Sequence, residues 1–359
     1  MWQIAEEKRM DTFYGEEENA VSLKDVYAQL QDDISRQIYI SRSLYSLTDE
    51  KKYMKEIVRN SVLGKILLEE VAKTNKKIAL FGAGTWGTAI VESFPEIEIT
   101  CFVDNYKCGQ LVKGLLVRRF EEMCPKLGEY YIVISILFEY QSVVNQLLNE
   151  GVSKQNMLVL GELVKKRQYF DLDALPHCKN EIFVDCGGFR GETSEQFIKW
   201  SGGDYKKIYL FEPNSALIQE CKRVFKESIA PEKINYYECG LWNENTILSF
   251  QIGEDLSRTR LVKADAYNEK VIQVKTIDSV VADYNVTFIK MDIEGSELQA
   301  LQGAAKTIKN SRPKLAISVY HKRNDIWDIP MFLLGIHPNY KFYLRTYSFI
   351  GNDTVLYAI

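Results

Sequence analysis

Three absences bound what this chain can do. There is no surplus of positive charge: 45 Lys and Arg stand against 49 Asp and Glu, a formal net charge of −4. No chain-wide basic footprint is therefore available for a phosphate backbone, and a nucleic-acid partner is not expected. Long apolar runs are missing too. The longest, YYIVISILF from Tyr130, is under half of the roughly 20 residues that a membrane-spanning helix needs. The opening MWQIAEEKRM lacks the apolar stretch and small-residue cleavage site of a secretory leader, so neither a span nor a leader is expected. Paired cysteine motifs are the third absence. The seven cysteines are odd in number, scattered and free of C-x-x-C spacing, which argues against a disulfide framework or zinc site and for reduced thiols in a cytoplasmic protein.

What is present is ordinary soluble-protein composition, 46% apolar and 26% charged, and it fits a small-molecule or glycan partner. With 359 residues, two or more cores are the default. Residues 1–74 are charge-rich and place Val26, Leu30, Ile34 and Ile38 at helical spacing, with a helix end and restart where Ser46 or Thr48 can cap the next turn. This helical segment shows no chemistry and is a candidate homodimer element. From Lys76 the pattern becomes strand, glycine turn, helix, strand (KKIALF, GAGTWG, IEITCFVDN), extended by YYIVISI and a helix. The same grammar restarts at EIFVDCGGFRGET and continues through KKIYLFEPN, INYYECGLW, VTFIKMDIEGSE and PKLAISVYH. The expected fold class is α/β: two tandem Rossmann-like doubly wound domains, at 75–165 and 181–359, behind the helical segment and joined by a polar, proline-containing linker at 166–180.

Gly82, Gly84 and Gly87 form a G-x-G-x-x-G directly after a strand, and Asp104 ends the next strand about twenty residues on, placed to accept from a ribose hydroxyl. This is a possible second nucleotide site. No Tyr-x-x-x-Lys pair or dehydrogenase-like substrate domain accompanies it. The segment FGAGTWGTAIVESFPEIEITCFVDNYKCGQLVKGLLV resembles the small nucleotide-binding-like domain at the front of sugar acetyltransferases. That resemblance implies a nucleotide-sugar or nucleoside pocket, or a scaffold that keeps the fold without a ligand.

The second loop differs. Asp185 lies on the strand just before Gly187, Gly188 and Gly191, where a carboxylate can organise the loop and meet the cationic end of a methionine sulfonium or amino group. Glu212, ending the next strand in FEPN, is placed for two ribose hydroxyls. Phe189, Thr193 and Asp292 complete the expected cofactor-binding set.

VDCGGFRGET, FEPN, FIKMDIEGSE and SVYHKRNDIWDIP, in this order and at about these spacings, resemble the FkbM family of methyltransferases over about residues 181–359. The D-I-E-G-x-E block is the most specific element. The resemblance implies a Rossmann-like fold, S-adenosylmethionine as donor, and a hydroxyl acceptor on a glycan, a nucleotide sugar or a natural product. In one departure Phe189 and Arg190 stand where the family often carries small polar residues, which changes how this loop meets the donor's carboxylate.

Transfer to an alcohol requires positioning the acceptor and removing its proton. The candidate catalytic residues near the fourth and fifth strand ends are Asp292, His321 and Glu297. His321 is a base near neutral pH or a structural hydrogen-bonder, and Asp292 orients it or touches the acceptor. Glu294 reads as a helix-start residue favoured by the dipole, whereas Glu297 stays open to an acceptor or metal contact. Asp292 with Glu294 or Glu297 can hold Mg2+, but carboxylates at this spacing are common on helix starts, and no metal is expected. Lys290 and Lys322 attract an anionic acceptor or are solvated; Tyr320 and Trp327 pack or stack on a sugar. The closing aromatic segment from Asn339, with its Gly-Asn-Asp turn, reads as a hairpin. The expected function is S-adenosylmethionine-dependent O-methylation of a sugar-containing acceptor. The rivals are an NAD(P)-dependent sugar oxidoreductase or epimerase using the first loop, and a non-catalytic nucleotide-sugar-binding protein.

Overall fold

Short strands buried on both faces, alternating with amphipathic helices, build two parallel sheets in the computed structural model, which describes residues 21–228, 231–251, 260–262, 270–281 and 285–359. The part of the expected helical segment at 1–20 lies outside the described residues. The first sheet holds β1 (Lys77–Phe81), β2 (Ile99–Val103), β3 (Leu111–Val112), β4 (Leu115–Arg118), β5 (Tyr130–Ile134) and β6 (Met157–Val159) in the order β3-β4-β2-β1-β5-β6. Its pairs are parallel apart from the β3–β4 edge.

The second sheet contains β7 (Glu181–Cys186), β8 (Tyr205–Phe211), β9 (Ile234–Tyr237), β14 (Phe288–Met291), β15 (Lys314–Ser318), β16 (Phe342–Thr346) and β17 (Thr354–Ala358), ordered β16-β17-β15-β14-β7-β8-β9. Every residue of β7, β14 and β15 is buried, as befits strands covered by helices on both faces. Only β17 runs antiparallel to its neighbours, so the aromatic segment does form the expected hairpin. Strand order reverses at β7, with β8 on one side and β14 on the other, and the crevice beyond their C-terminal ends is where open α/β sheets bind ligands.

One expected strand divides. INYYECGLW gives β9 only as far as Tyr237; β10 (Gly240–Leu241) then joins β11 (Thr246–Gln251), β12 (Arg260–Val262) and β13 (Lys270–Lys275) in a separate sheet ordered β10-β13-β11-β12. That sheet was not anticipated. Its strands are one-sided, with Ile247 and Val271 exposed while Leu248 and Val274 are buried, and carry a weaker signal than a wholly apolar run.

The first two described N-terminal helices, Leu23–Gln29 and Asp33–Thr48, lie against the second sheet, while Lys51–Arg59 and Val62–Ala72 pack on the front half. Ser22 and Asp25 form a capping box for the helix Leu23–Gln29, whose Val26 is buried together with Leu30 and Ile38. Gln31 N donates to Phe342 O at 3.0 Å, and Arg345 pairs with Asp32 at 2.7 Å, so this apolar stripe covers the edge strand β16. The helix break falls after Thr48, but Ser46 is buried inside the helix; Thr48 Oγ1 accepts from Glu50 N. Residues 166–180, expected as a polar linker, bury Tyr169, Leu172 and Leu175 in one apolar cluster that runs from Leu80 and Trp86 to Phe183 and Phe288.

Candidate active site

The switch point of the second sheet opens into a cavity of about 460 Å³, within the range of small-molecule sites. Gly187, Gly188, Phe189 and Thr193 of the loop after β7 line it, with Glu212, Asp292 and Tyr320 from strand ends. Trp86, Leu137 and Phe138 reach the same cavity from the front half. The glycines are required by close packing. Gly187 has φ +81°, and a Cβ there would stand 2.0 Å from the Asp292 carbonyl oxygen; at Gly188 it would stand 2.5 Å from Leu210 and at Gly191 2.7 Å from Phe225.

Asp185 is placed differently from expectation. Its fully buried carboxylate accepts from Ser194 Oγ at 2.6 Å and from Lys290 Nζ at 3.2 Å, and it does not line the cavity. A buried carboxylate needs such partners, and through Lys290 Asp185 organises the loop, one of the two roles expected of it. Lys290, read as an attractor of anionic acceptors, is itself buried and donates to Gly187 O at 2.7 Å.

Glu212 does line the cavity. Its Oε2 accepts from Phe189 N at 3.1 Å and its Oε1 from Asn214 N at 2.9 Å. Burial pushes its carboxyl above the usual range against those two amides, and each oxygen retains a lone pair for a ligand hydroxyl. Phe189, at φ +45°, is half-buried and carries the Arg190 guanidinium over its ring at 5.2 Å.

Beyond β14 and β15 a cluster of acids surrounds His321. Nδ1 lies 2.9 Å from Glu297 Oε1, and Nε2 lies 3.5 Å from Asp292 Oδ1 and 3.6 Å from Glu294 Oε2, yet neither ring nitrogen makes a hydrogen bond of acceptable direction. Burial opposes a charge on the ring, but Glu297, Asp292 and Glu294 outweigh it and push the imidazole up to about 9. In the absence of a ligand the three acids therefore favour the protonated ring, which works against the general-base role expected for His321. Burial also opposes ionisation of Asp292, but His321 and Lys290 hold its carboxyl below the usual range. Its Oδ2 accepts from Tyr169 OH at 2.6 Å. Glu294 does not open the following helix as expected: it sits in a turn at φ +55°, and the helix begins at Glu297.

Sequence reasoning missed Tyr169, hidden in a run that looks polar, and Asp353, which the hairpin turn brings to the cavity wall. Burial and the charge of Asp292 push the Asp353 carboxyl up to about 7. Tyr320 lines the cavity and packs on the His321 ring at 4.1 Å, whereas Trp327, on the helix Asp325–Ile336, packs partly buried against the core. Lys322 is exposed and reaches Gln299 at 3.5 Å. His177 and His337 contact the carbonyls of Ser201 and Lys309.

The first glycine loop stands apart. Asp104 accepts from Ala83 N through Oδ2 and from Tyr106 N and Lys107 N through Oδ1, at 2.9–3.0 Å. Its carboxylate fastens the loop instead of reaching for a ribose. At Gly87 a Cβ would meet Gly82 O at 2.2 Å, whereas nothing lies within 4 Å of Gly84. Helix-to-strand packing therefore accounts for Gly82 and Gly87 without a ligand.

The model of the methyltransferase FkbM domain matches residues 185–345. No curated protein matches the chain. Among solved structures, methyltransferase FkbM from Methylobacillus flagellatus KT is similar over 91% of this chain and 99% of its own, with 19% identity and a TM-score of 0.50. This likeness of fold takes in the front half as well. Aeropyrum pernix fibrillarin, in complex with natively bound S-adenosyl-L-methionine, is similar over 55% of this chain and 74% of its own, at 11% identity and a TM-score of 0.35. The chain thus carries, at residues 185–345, a methyltransferase FkbM domain, within an α/β fold shared with the Methylobacillus structure.

Proposed function

We propose that the chain transfers a methyl group from S-adenosylmethionine to a hydroxyl of a sugar-containing acceptor. The observation that carries this is Glu212, a carboxylate at the end of β8 facing the cavity beside the Gly187–Phe189 turn. The residues fit the donor: Glu212 has acceptor capacity for paired ribose hydroxyls, and the turn approaches closely because its glycines carry no side chain. Bound there, the sulfonium supplies a methyl activated for displacement, so that O–C forms as S–C breaks, the electron pair stays on sulfur and the hydroxyl proton departs. The chain's part is to hold the acceptor oxygen in line and receive that proton. Asp292 orients the acceptor, Glu297 fixes His321, and Asp353, titrating near neutral pH, is the better-tuned proton acceptor. Trp86 and Phe138 offer apolar faces for sugar C–H groups, while Asn352 and Asp353 face the hydroxyls.

Calorimetric titration of the full chain with S-adenosylhomocysteine and with NAD tests the donor. Binding of the first, weakened about tenfold or more by Glu212→Ala, is expected; heat from NAD alone overturns the assignment. Labelled methyl transfer onto a panel of glycans and sugar phosphates tests the acceptor, and transfer only to amines would refute the hydroxyl chemistry.

A further inference from the structure

We propose that Asp292, Glu294 and His321 form a divalent-cation site on the wall of the cavity. One donor atom from each lies within 4.8 Å of the others. His321 Nε2 stands 3.5 Å from Asp292 Oδ1 and 3.6 Å from Glu294 Oε2. Donors about 2.1 Å from a shared ion are themselves about 3.0–3.5 Å apart, so both histidine–carboxylate separations already suit a shared ion.

The histidine separates this site from a chance gathering of acids. Its side chain is 7% exposed, neither ring nitrogen has a hydrogen bond, and Nε2 is aimed between two carboxylates that line the cavity. Without an ion the surrounding acids keep a proton on the ring, and a cation at Nε2 takes that proton's place. Behind the ring, Nδ1 faces the fully buried Glu297 at 2.9 Å, and Glu297 Oε1 is held by Ile293 N at 2.9 Å. A carboxylate behind one ring nitrogen and a metal before the other is the usual arrangement of a ligating histidine. Tyr169 OH holds Asp292 Oδ2, while Oδ1, which accepts from Tyr320 OH at 3.4 Å, lies toward the histidine. Three carboxylates converge on one imidazole, and the Lys290 ammonium is directed away, to Asp185 and Gly187 O. The excess of negative charge favours a cation. One nitrogen and two carboxylates suit Mn2+, Fe2+ or Zn2+ better than Ca2+.

The role of the ion rests on the O-methyl reading above. It takes the acceptor hydroxyl into an open position and lowers its pKa, so that the proton leaves to water or a cavity carboxylate before or as the methyl arrives.

The test uses the full chain, stripped with chelator and titrated with Mn2+, followed by electron paramagnetic resonance, with S-adenosylhomocysteine titrated in parallel. One bound equivalent is expected, weakened at least about tenfold by Glu294→Gln and by His321→Ala, and about 10- to 100-fold by Glu297→Gln. Circular dichroism and retained S-adenosylhomocysteine binding show that the variants fold. If the wild type binds S-adenosylhomocysteine but no Mn2+, or if Glu294→Gln and His321→Ala both leave Mn2+ affinity unchanged, the cation site is wrong and the methyl-transfer reading stands. If the folded chain binds neither, both fall.

Discussion

Lys290 and Asp185 show how a buried ion pair can hold the loop that shapes a site. The two side chains are buried, at 3% and 0% exposure, and removing one leaves the other charged and alone. Lys290→Ala is expected to cost about 3–5 kcal/mol in urea unfolding, with much of the loss recovered when Lys290→Met is combined with Asp185→Asn; a loss below about 1 kcal/mol would contradict the pairing. Asp325 illustrates the opposite case. Burial and the charge of Glu297 push its carboxyl from 3.8 up to about 6. The folded chain therefore binds this proton more tightly than the unfolded chain, and stability falls as pH rises from about 4 to about 6. The difference is about 3 kcal/mol at most. Asp325→Asn, which keeps an oxygen for Lys322 N, is expected to raise Tm at pH 8 and to match the wild type near pH 4. An equal gain at both pH values would remove the carboxyl as the cause.

At the scale of elements, the turn between β16 and β17 carries Ile350, Asn352 and Asp353 to the cavity, and the helix Asp33–Thr48 holds it there. Arg42 on that helix donates to Gly351 O and, at 3.0 Å, to Tyr320 O. Arg42→Ala is expected to speed amide exchange across 347–353 and to weaken acceptor binding, with S-adenosylhomocysteine affinity unchanged; unchanged exchange would show that the turn stands by itself. The strand-glycine-helix grammar was legible because wholly apolar strands such as FIKM and a glycine turn such as CGG are local signals. Glu212 and Asp292 could be placed at the cavity because strand ends at a switch point converge by topology. The partner of Asp185 was not legible, since pairing with Lys290 depends on the register of β7 with β14. Nor was Tyr169, whose polar neighbours masked a buried ring, nor the one-sided strands β10 to β13. The His321 cluster was read as separate residues because only the fold brings Glu294 and Glu297 to opposite nitrogens of one ring.

For the whole molecule, the apolar cluster that joins the two parallel sheets predicts that they unfold together. Thermal unfolding followed by far-ultraviolet dichroism and by tryptophan fluorescence is expected to give one coincident transition, and two resolved transitions would show independent units. The cavity is shared in the same way. Phe138 is 69% exposed and lines it from the front half; Phe138→Ala is expected to raise KM for the acceptor severalfold with little effect on donor affinity. Part of the acceptor contact would then be tunable from a stretch of chain far from the donor turn, by changing Trp86, Leu137 or Phe138 while Glu212 and the glycine loop stay as they are.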